Sequence, residues 1–207
     1  SGASPSTDWT NRTVNRYSAR YYQADVGSNC PVVSASFHKD SGADVFYHVV
    51  TQNGTAFGTH REGSGADWTQ AFLNDGITKI TAVIGGQANS GQVDIEFSCA
   101  NPVVDIKLPN SGAPAHVWRH AAPQRFLAQV LVTDGSPTGP VVAGLSNADF
   151  VVKVNNKNGT IETGGFIQEQ YWLVVSAPTQ TADGTYDLKV ELQEPGTSTE
   201  IASDTNT

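Results

Sequence analysis

The stretch that most constrains this chain runs Asp183-Gly184-Thr185-Tyr186-Asp187-Leu188-Lys189-Val190-Glu191-Leu192. Tyr186, Leu188, Val190 and Leu192 alternate with Asp187, Lys189 and Glu191. Successive side chains of a strand point to opposite faces, so this period of two predicts a half-buried β-strand with the first set inward. The same logic applies elsewhere. Val93, Ile95, Phe97 and Cys99 alternate with Asp94, Glu96 and Ser98, and Tyr171, Leu173 and Val175 stand opposite Trp172 and Val174. Val45-Phe46-Tyr47-His48-Val49-Val50 is apolar on both faces, as a central strand should be. Asn53-Gly54 and Asn158-Gly159 are hairpin signals, because both residue types tolerate positive φ. No stretch keeps a helical apolar period over three turns. Strands at this spacing predict an all-β chain of sandwich or barrel type.

Asp183-Gly184-Thr185-Tyr186 has the chemistry of a tyrosine corner, in which a Tyr near a strand start bonds back to the preceding connection. A generic strand after a tight turn has the same pattern. Earlier lie a strand, a loop Thr133–Pro140 rich in turn residues, and Gly144-Leu145-Ser146 followed by Asp149-Phe150. Together these motifs resemble immunoglobulin-like modules of secreted and cell-surface proteins. Such modules often trail von Willebrand A-type or enzymatic domains in bacterial multidomain proteins. The resemblance covers roughly the second half of the chain. In the immunoglobulin pattern a Cys stands two residues after the Tyr, and here Leu188 stands there. The resemblance therefore implies a module held by packing, with no disulfide at that end, and Tyr186 with its ring in the core.

At 207 residues the chain accommodates one large β domain or two smaller ones. Ala100-Asn101-Pro102 is the natural joint, because Pro102 donates nothing to a sheet and biases Asn101 to extended geometry. The expected organisation is two tandem antiparallel β-sandwich domains, residues 1–102 and 103–207, the second immunoglobulin-like. The linker is very short, so the two modules should touch. Both ends read as cut from a longer polypeptide: there is no Met, Ser1-Gly2-Ala3-Ser4-Pro5 resembles a linker, and 203–207 is polar and structureless in character.

Cys30 and Cys99 are the only cysteines. A pair of free thiols in a cytosolic protein is one alternative. A disulfide is the preferred reading, because Cys99 sits on the inward face of a clear strand. Closing a loop of about 70 residues would stabilise the fold by about 4 kcal/mol on the chain-entropy model. It would also place the protein in an oxidising compartment, extracellular or at a cell surface. Two thiolates without a neighbouring His fall short of a zinc site.

A net charge of −8 argues against a surface that tracks phosphates, so no nucleic-acid partner is expected. No apolar run is long enough to span a membrane, and none is expected to insert. His116 and His120 would share a strand face, yet four strand residues span about 13 Å, too far for one metal. Asp40, Asp44, Asp67 and Asp75 lie near turns and are candidate calcium ligands. Calcium needs about six to eight oxygens, however, and turn chemistry alone places Asp there. No Gly-x-Ser-x-Gly elbow and no phosphate-binding Gly-rich loop occurs. No cofactor and no enzymatic activity are expected.

Trp68, Trp118, Tyr171 and Trp172 are candidate ligand-binding residues. Exposed aromatic faces stack on the apolar faces of sugar rings while neighbouring polar groups bond the hydroxyls. Trp68 stands between Asp67 and Gln70, and Tyr171-Trp172 follows Gln168-Glu169-Gln170. The alternative for each is a place in the core or at a module contact. Asn11, Asn53 and Asn158 head glycosylation sequons, relevant only in a eukaryotic source. The sequence reads as a non-catalytic extracellular module pair that serves as spacer, adhesion or protein-docking region, meeting protein or glycan at a cell surface. The alternative is a carbohydrate-binding module appended to a secreted hydrolase.

Overall fold

The computed structural model describes residues 7–41, 45–54, 56–62, 68–86, 90–116 and 124–207. The chain is all-β, built of antiparallel sheets, and divides into two compact units, Ser1–Ala100 and Asn101–Thr207.

The first unit contains β1 (Thr7–Val14), β2 (Ala19–Asp25), β3 (Val32–Ser41), β4 (Val45–Thr51), β5 (Ala56–Glu62), β6 (Trp68–Leu73), β7 (Lys79–Gly86) and β8 (Gly91–Ala100). One sheet orders them β1-β8-β3-β6 and the other β2-β7-β4-β5, with every neighbouring pair antiparallel. The chain changes sheet at every connection except the β4–β5 hairpin. That winding is the eight-stranded jelly roll, a double sheet of two interleaved Greek keys. The hairpin forms at Asn53-Gly54, where Gly54 has φ 75° and its N–H donates to the Thr51 carbonyl at 3.0 Å.

The alternation read from the sequence is what fills this sandwich. Val93, Ile95 and Phe97 of β8 meet Val33, Ala35 and Phe37 of β3, Val45, Tyr47 and Val49 of β4, and Ile80, Ala82 and Ile84 of β7. Each is at most 1% exposed, which is why the polar alternates on these strands face outward. Two details here go beyond what the alternation announces. The polar segment before Val14 contains strand β1, which pairs with β8 and is anchored by Trp9 against Tyr22 and Phe97. An edge strand faces solvent along one side, so it can be polar and still complete a ladder. Asp40 lies within β3, which runs on to Ser41, and not in a turn.

The second unit contains β9 (Pro102–Leu108), β10 (Arg125–Asp134), β11 (Val142–Ala143), β12 (Phe150–Val154), β13 (Lys157–Asn158), β14 (Thr160–Ile167), β15 (Gln170–Ser176), β16 (Leu188–Gln193) and β17 (Glu200–Asn206). Pro102 opens β9, the strand position at which its missing N–H costs least. The sheets are β14-β15-β10-β9 and β13-β12-β16-β17. Leaving aside the two-residue β11 and β13, the first, second, fifth and fourth strands share one sheet and the third, sixth and seventh the other. This is the strand distribution of a constant-type immunoglobulin sandwich. The core comes from inward residues of both sheets, among them Val130, Val132, Tyr171, Leu173, Val190 and Leu192.

The C-terminal residues, expected to lack structure, form β17, which pairs with β16 from Leu188↔Asn206 to Gln193↔Glu200. Its side chains also reach β9. The Ile106 N–H donates to the Asp204 carboxylate at 2.8 Å, and the Asn206 amide donates to the Ile106 carbonyl at 2.8 Å. Backbone pairing and these two polar bonds hold a strand that its hydropathy does not announce. The tyrosine corner is half as expected. The Tyr186 hydroxyl donates to the Ala182 carbonyl, inside the preceding connection, but its ring is only half-buried at the rim and not in the core.

Candidate functional site

The disulfide is present: Cys30 precedes β3, Cys99 lies near the end of β8, and their Cα atoms are 5.5 Å apart. The same end of the unit is tied by Asn74, whose amide donates to the Cys30 carbonyl at 2.8 Å and whose Oδ1 accepts the Ile77 N–H at 2.6 Å. Gln52 accepts the Thr78 and Lys79 N–H groups and donates to the Gly76 carbonyl. The polar groups named at this end are taken up by the unit's own structure.

The candidate aromatic residues separate by which face of a strand each occupies. Trp68 opens β6 and packs against the core, stacked on Phe37 at 5.0 Å and near-parallel to Tyr47 at 6.3 Å. It is a core aromatic with one partly exposed edge. Tyr171 is only 3% exposed. Its hydroxyl donates to the Val142 carbonyl at 2.7 Å and accepts the Leu145 N–H at 3.2 Å, while its ring meets Phe150 and Phe166. Burial pushes the phenol up to about 12. Tyr171 is therefore a structural anchor and no sugar platform. Trp118 lies outside the described residues, as does His120, while His116 is exposed.

Trp172, one residue on, faces the other way, out from the β14-β15-β10-β9 sheet. Its cross-strand neighbours are Gln129 on β10 and Gly165 on β14. A side chain at Gly165 would meet open space, so the indole is bordered by a gap on that side. The Gln129 amide donates to Gln170, and Leu127, 42% exposed, lies in the next row opposite Val174. The row beyond is charged: Arg125 pairs with Glu162, and the Ser176 hydroxyl donates to the same carboxylate. Ser176, with Arg125 behind it, holds the Glu162 carboxyl below its usual range.

Of the candidate calcium ligands, Asp44 and Asp67 lie outside the described residues, as does the side chain of Asp40. Asp75 is exposed in the β6–β7 turn ahead of Gly76, whose φ is 66°. Among the described residues no three His, Cys, Asp or Glu side chains gather where a metal could sit. No helix among them is long and apolar enough to cross a membrane.

The second unit has an open cleft of about 1020 Å³ at the end where Asn110, His116, Gln124, Asn158, Gln180 and Tyr186 meet. Several of its polar groups are taken up by the unit's own structure. Asn110 caps the turn to Gly112 and Ala113, Gln180 reaches Asn155 and the Val154 carbonyl, and Tyr186 bonds Ala182. On the outer face of the other sheet, Glu191 is 4% exposed beneath Lys153 and Lys189, at 2.5 and 2.8 Å. The sequence places Glu191 outward, and so it is; the lysine stems cover it. Glu191 first, and then Glu200, raise the Lys189 ammonium above its usual range.

One feature of the first unit was not legible as a site. Arg16 and Tyr17 stand on the turn between β1 and β2, with Arg20 and Tyr21 at the start of β2, all exposed. The alternation of Tyr17, Ala19 and Tyr21 reads as an ordinary strand face, but β2 begins only at Ala19 and Tyr17 has φ 56°. No glycine in Asn15-Arg16-Tyr17-Ser18 signals that conformation.

No family model matches the chain, and no curated protein matches it. Among solved structures it is similar to the apo form of a β-glucuronidase from Ruminococcus gnavus, at 12% identity and a TM-score of 0.27, over 93% of this chain and 36% of that one. It is similar also to Bifidobacterium dentium β-glucuronidase complexed with coumarin-3-O-glucuronide, at 13% identity and a TM-score of 0.26, over 91% of this chain and 39% of that one. The chain thus spans well under half the length of either. At such TM-scores the likeness carries no argument about what this chain does.

Proposed function

We propose that the chain is a non-catalytic pair of β-sandwich modules, the second immunoglobulin-like, that serves a secreted or surface protein as spacer, adhesion or protein-docking region. The observation that supports this best is that each unit closes an apolar core between its own two sheets. The Cys30–Cys99 disulfide suits an oxidising compartment. The polar groups of the second unit's cleft are largely engaged with its own loops, which leaves little for chemistry. The reading needs no cofactor. Its partners are protein or glycan at a cell surface, with neither nucleic acid nor membrane insertion. The test is a broad esterase, peptidase and glycosidase screen alongside binding to cell surfaces: binding without turnover is expected, and reproducible turnover by the purified chain overturns the reading.

A carbohydrate-binding module attached to a secreted hydrolase is the second reading. It is favoured by the outward Trp172 between Gln129 and the gap at Gly165, and by the jelly-roll winding of the first unit, which lectin domains also use. Retention on insoluble polysaccharide that disappears in Trp172→Ala, with the fold intact, is the expected result. Trp68→Ala would test the core instead, because Trp68 stacks on Phe37.

A further inference from the structure

Among the described residues Tyr17 and Tyr21 are the most exposed large apolar side chains, at 77% and 70%. Tyr17 also holds a left-handed backbone conformation, φ 56°, which a residue bearing a Cβ adopts at a cost. Its surroundings enforce it. The Tyr17 N–H donates to the Gly86 carbonyl at 2.8 Å, the Gly86 N–H to the Ser18 carbonyl at 2.9 Å, and the Ser18 N–H and hydroxyl to the Asn15 carbonyl at 3.1 and 2.7 Å. Gly86 is required for this clamp, since a Cβ there would lie 2.5 Å from the Asn15 carbonyl oxygen. The strain and the exposed ring contribute nothing to packing, so stability does not explain them.

The turn presents a specific pair. The Arg16 guanidinium lies over the Tyr17 ring, 4.6 Å from its centroid, and donates to the Tyr17 hydroxyl at 2.8 Å. The ring's high exposure leaves its other face to solvent. Tyr21 follows on the same face of β2 as Ala19, which is paired to Gly85, whose missing side chain makes room for the Phe46 ring, while Arg20, paired to the buried Ile84, stands on the opposite face. Arg16 thus offers a fixed cation beside an exposed ring in a chain with 12 basic and 20 acidic residues.

We propose that Arg16, Tyr17 and Tyr21 form a binding site for an acidic polysaccharide, a sugar chain bearing carboxylates or sulfates. This inference rests on reading the chain as a non-catalytic binding module, and it names the ligand class of the glycan reading. The open faces of Tyr17 and Tyr21 stack on the apolar faces of sugar rings. Arginine's planar fork matches a carboxylate or sulfate in two parallel bonds, and stacking on Tyr17 holds the fork of Arg16 in place. Four residues separate the tyrosines by at most about 14 Å, within reach of two rings of one oligosaccharide. A platform fixed before binding lowers the ordering cost. A neutral glycan would leave Arg16 idle. A single-stranded nucleic acid needs a basic groove along its backbone, which this acidic chain does not offer. An acidic peptide would meet Arg16 but lacks flat rings for both tyrosines.

The test is calorimetric titration of the whole chain with polygalacturonate, dextran sulfate, neutral xylan, poly-glutamate and oligo-dT. Saturable binding to at least one acidic polysaccharide is expected, about tenfold or more tighter than to xylan or poly-glutamate. The preferred acidic polymer tells carboxylate from sulfate. Tyr17→Gly is the informative variant, because glycine is at ease at φ 56°. It should keep or raise Tm while weakening binding about tenfold, and Arg16→Ala should weaken it similarly, with Arg16→Lys between. The inference is overturned by absence of binding to both acidic polymers, by equal binding to xylan, by stronger binding to poly-glutamate or oligo-dT, or by unchanged affinity in Tyr17→Gly. Degradation of a polymer would instead overturn the non-catalytic reading, while absence of both binding and degradation removes this inference alone.

Discussion

Tyr171→Phe removes one oxygen from the interior of the second unit. In the native protein that hydroxyl donates to the Val142 carbonyl and accepts the Leu145 N–H, fastening the 142–145 segment to β15. The variant keeps the ring and its contacts with Phe150 and Phe166 but leaves those two backbone groups unpaired. A buried group without its partner costs about 1–3 kcal/mol, the loss expected at pH 8. The ionisation of Tyr171 supplies a second, independent signature. Its pKa stands at about 12 in the folded protein, against about 10 for an unfolded chain. Below about pH 10 both states carry the proton, and the full contribution is present. Between about pH 10 and 12 the unfolded state ionises first and binds fewer protons, so stability is lost as the pH rises through the folded value. At pH 11 the gap between wild type and Tyr171→Phe should therefore be smaller than at pH 8 by about 1.4 kcal/mol. Urea denaturation of both proteins at the two pH values measures it, and taking the difference removes the other titrating groups common to both. A gap that is the same at pH 8 and pH 11 would refute the placement of the hydroxyl as a buried, neutral donor.

Tyr186→Phe should cost about 0.5–1.5 kcal/mol through the bond to Ala182, and Tyr186→Ala only about 1–3 kcal/mol, because a half-buried ring leaves a smaller cavity than a core one; chemical denaturation decides, and a neutral Tyr186→Ala would remove the corner. Mass spectrometry of the unreduced, alkylated protein should find no free thiol, and replacing both Cys30 and Cys99 by Ala should lower stability by about 2–5 kcal/mol. Glu191→Gln strips Lys153 of its carboxylate partner and Lys189 of one of two. It should cost about 1–3 kcal/mol in urea melts, less than a fully buried pair because both lysines reach solvent.

The strands that fill the two cores were legible because burial on one face imposes period two. Val93, Ile95 and Phe97 on β8, and Leu188, Val190 and Leu192 on β16, lie inward as their alternation predicts. The disulfide was legible because Cys99 continues such a face. β1 and β17 were not, because an edge strand is held by its ladder and needs no apolar stripe: Asp204 and Asn206 hold β17 to β9 through polar bonds. Among the aromatics, alternation already set Tyr171 with Leu173 and Val175 and put Trp172 on the opposite face, so the pair could have been divided in advance. Trp68 could not, since its stacking on Phe37 depends on the β3–β6 register, Phe37↔Trp68, a non-local fact. Tyr17 escaped because its conformation is imposed by Gly86, far along the chain, and not by its neighbours.

Each half of the chain should fold as a self-sufficient β-sandwich module. Separate expression of residues 1–102 and 103–207, with amide NMR spectra of each, decides this. A dispersed, β-rich spectrum is expected from each half, with the disulfide formed in the first. Two collapsed spectra, from halves of a chain that folds when whole, would contradict it.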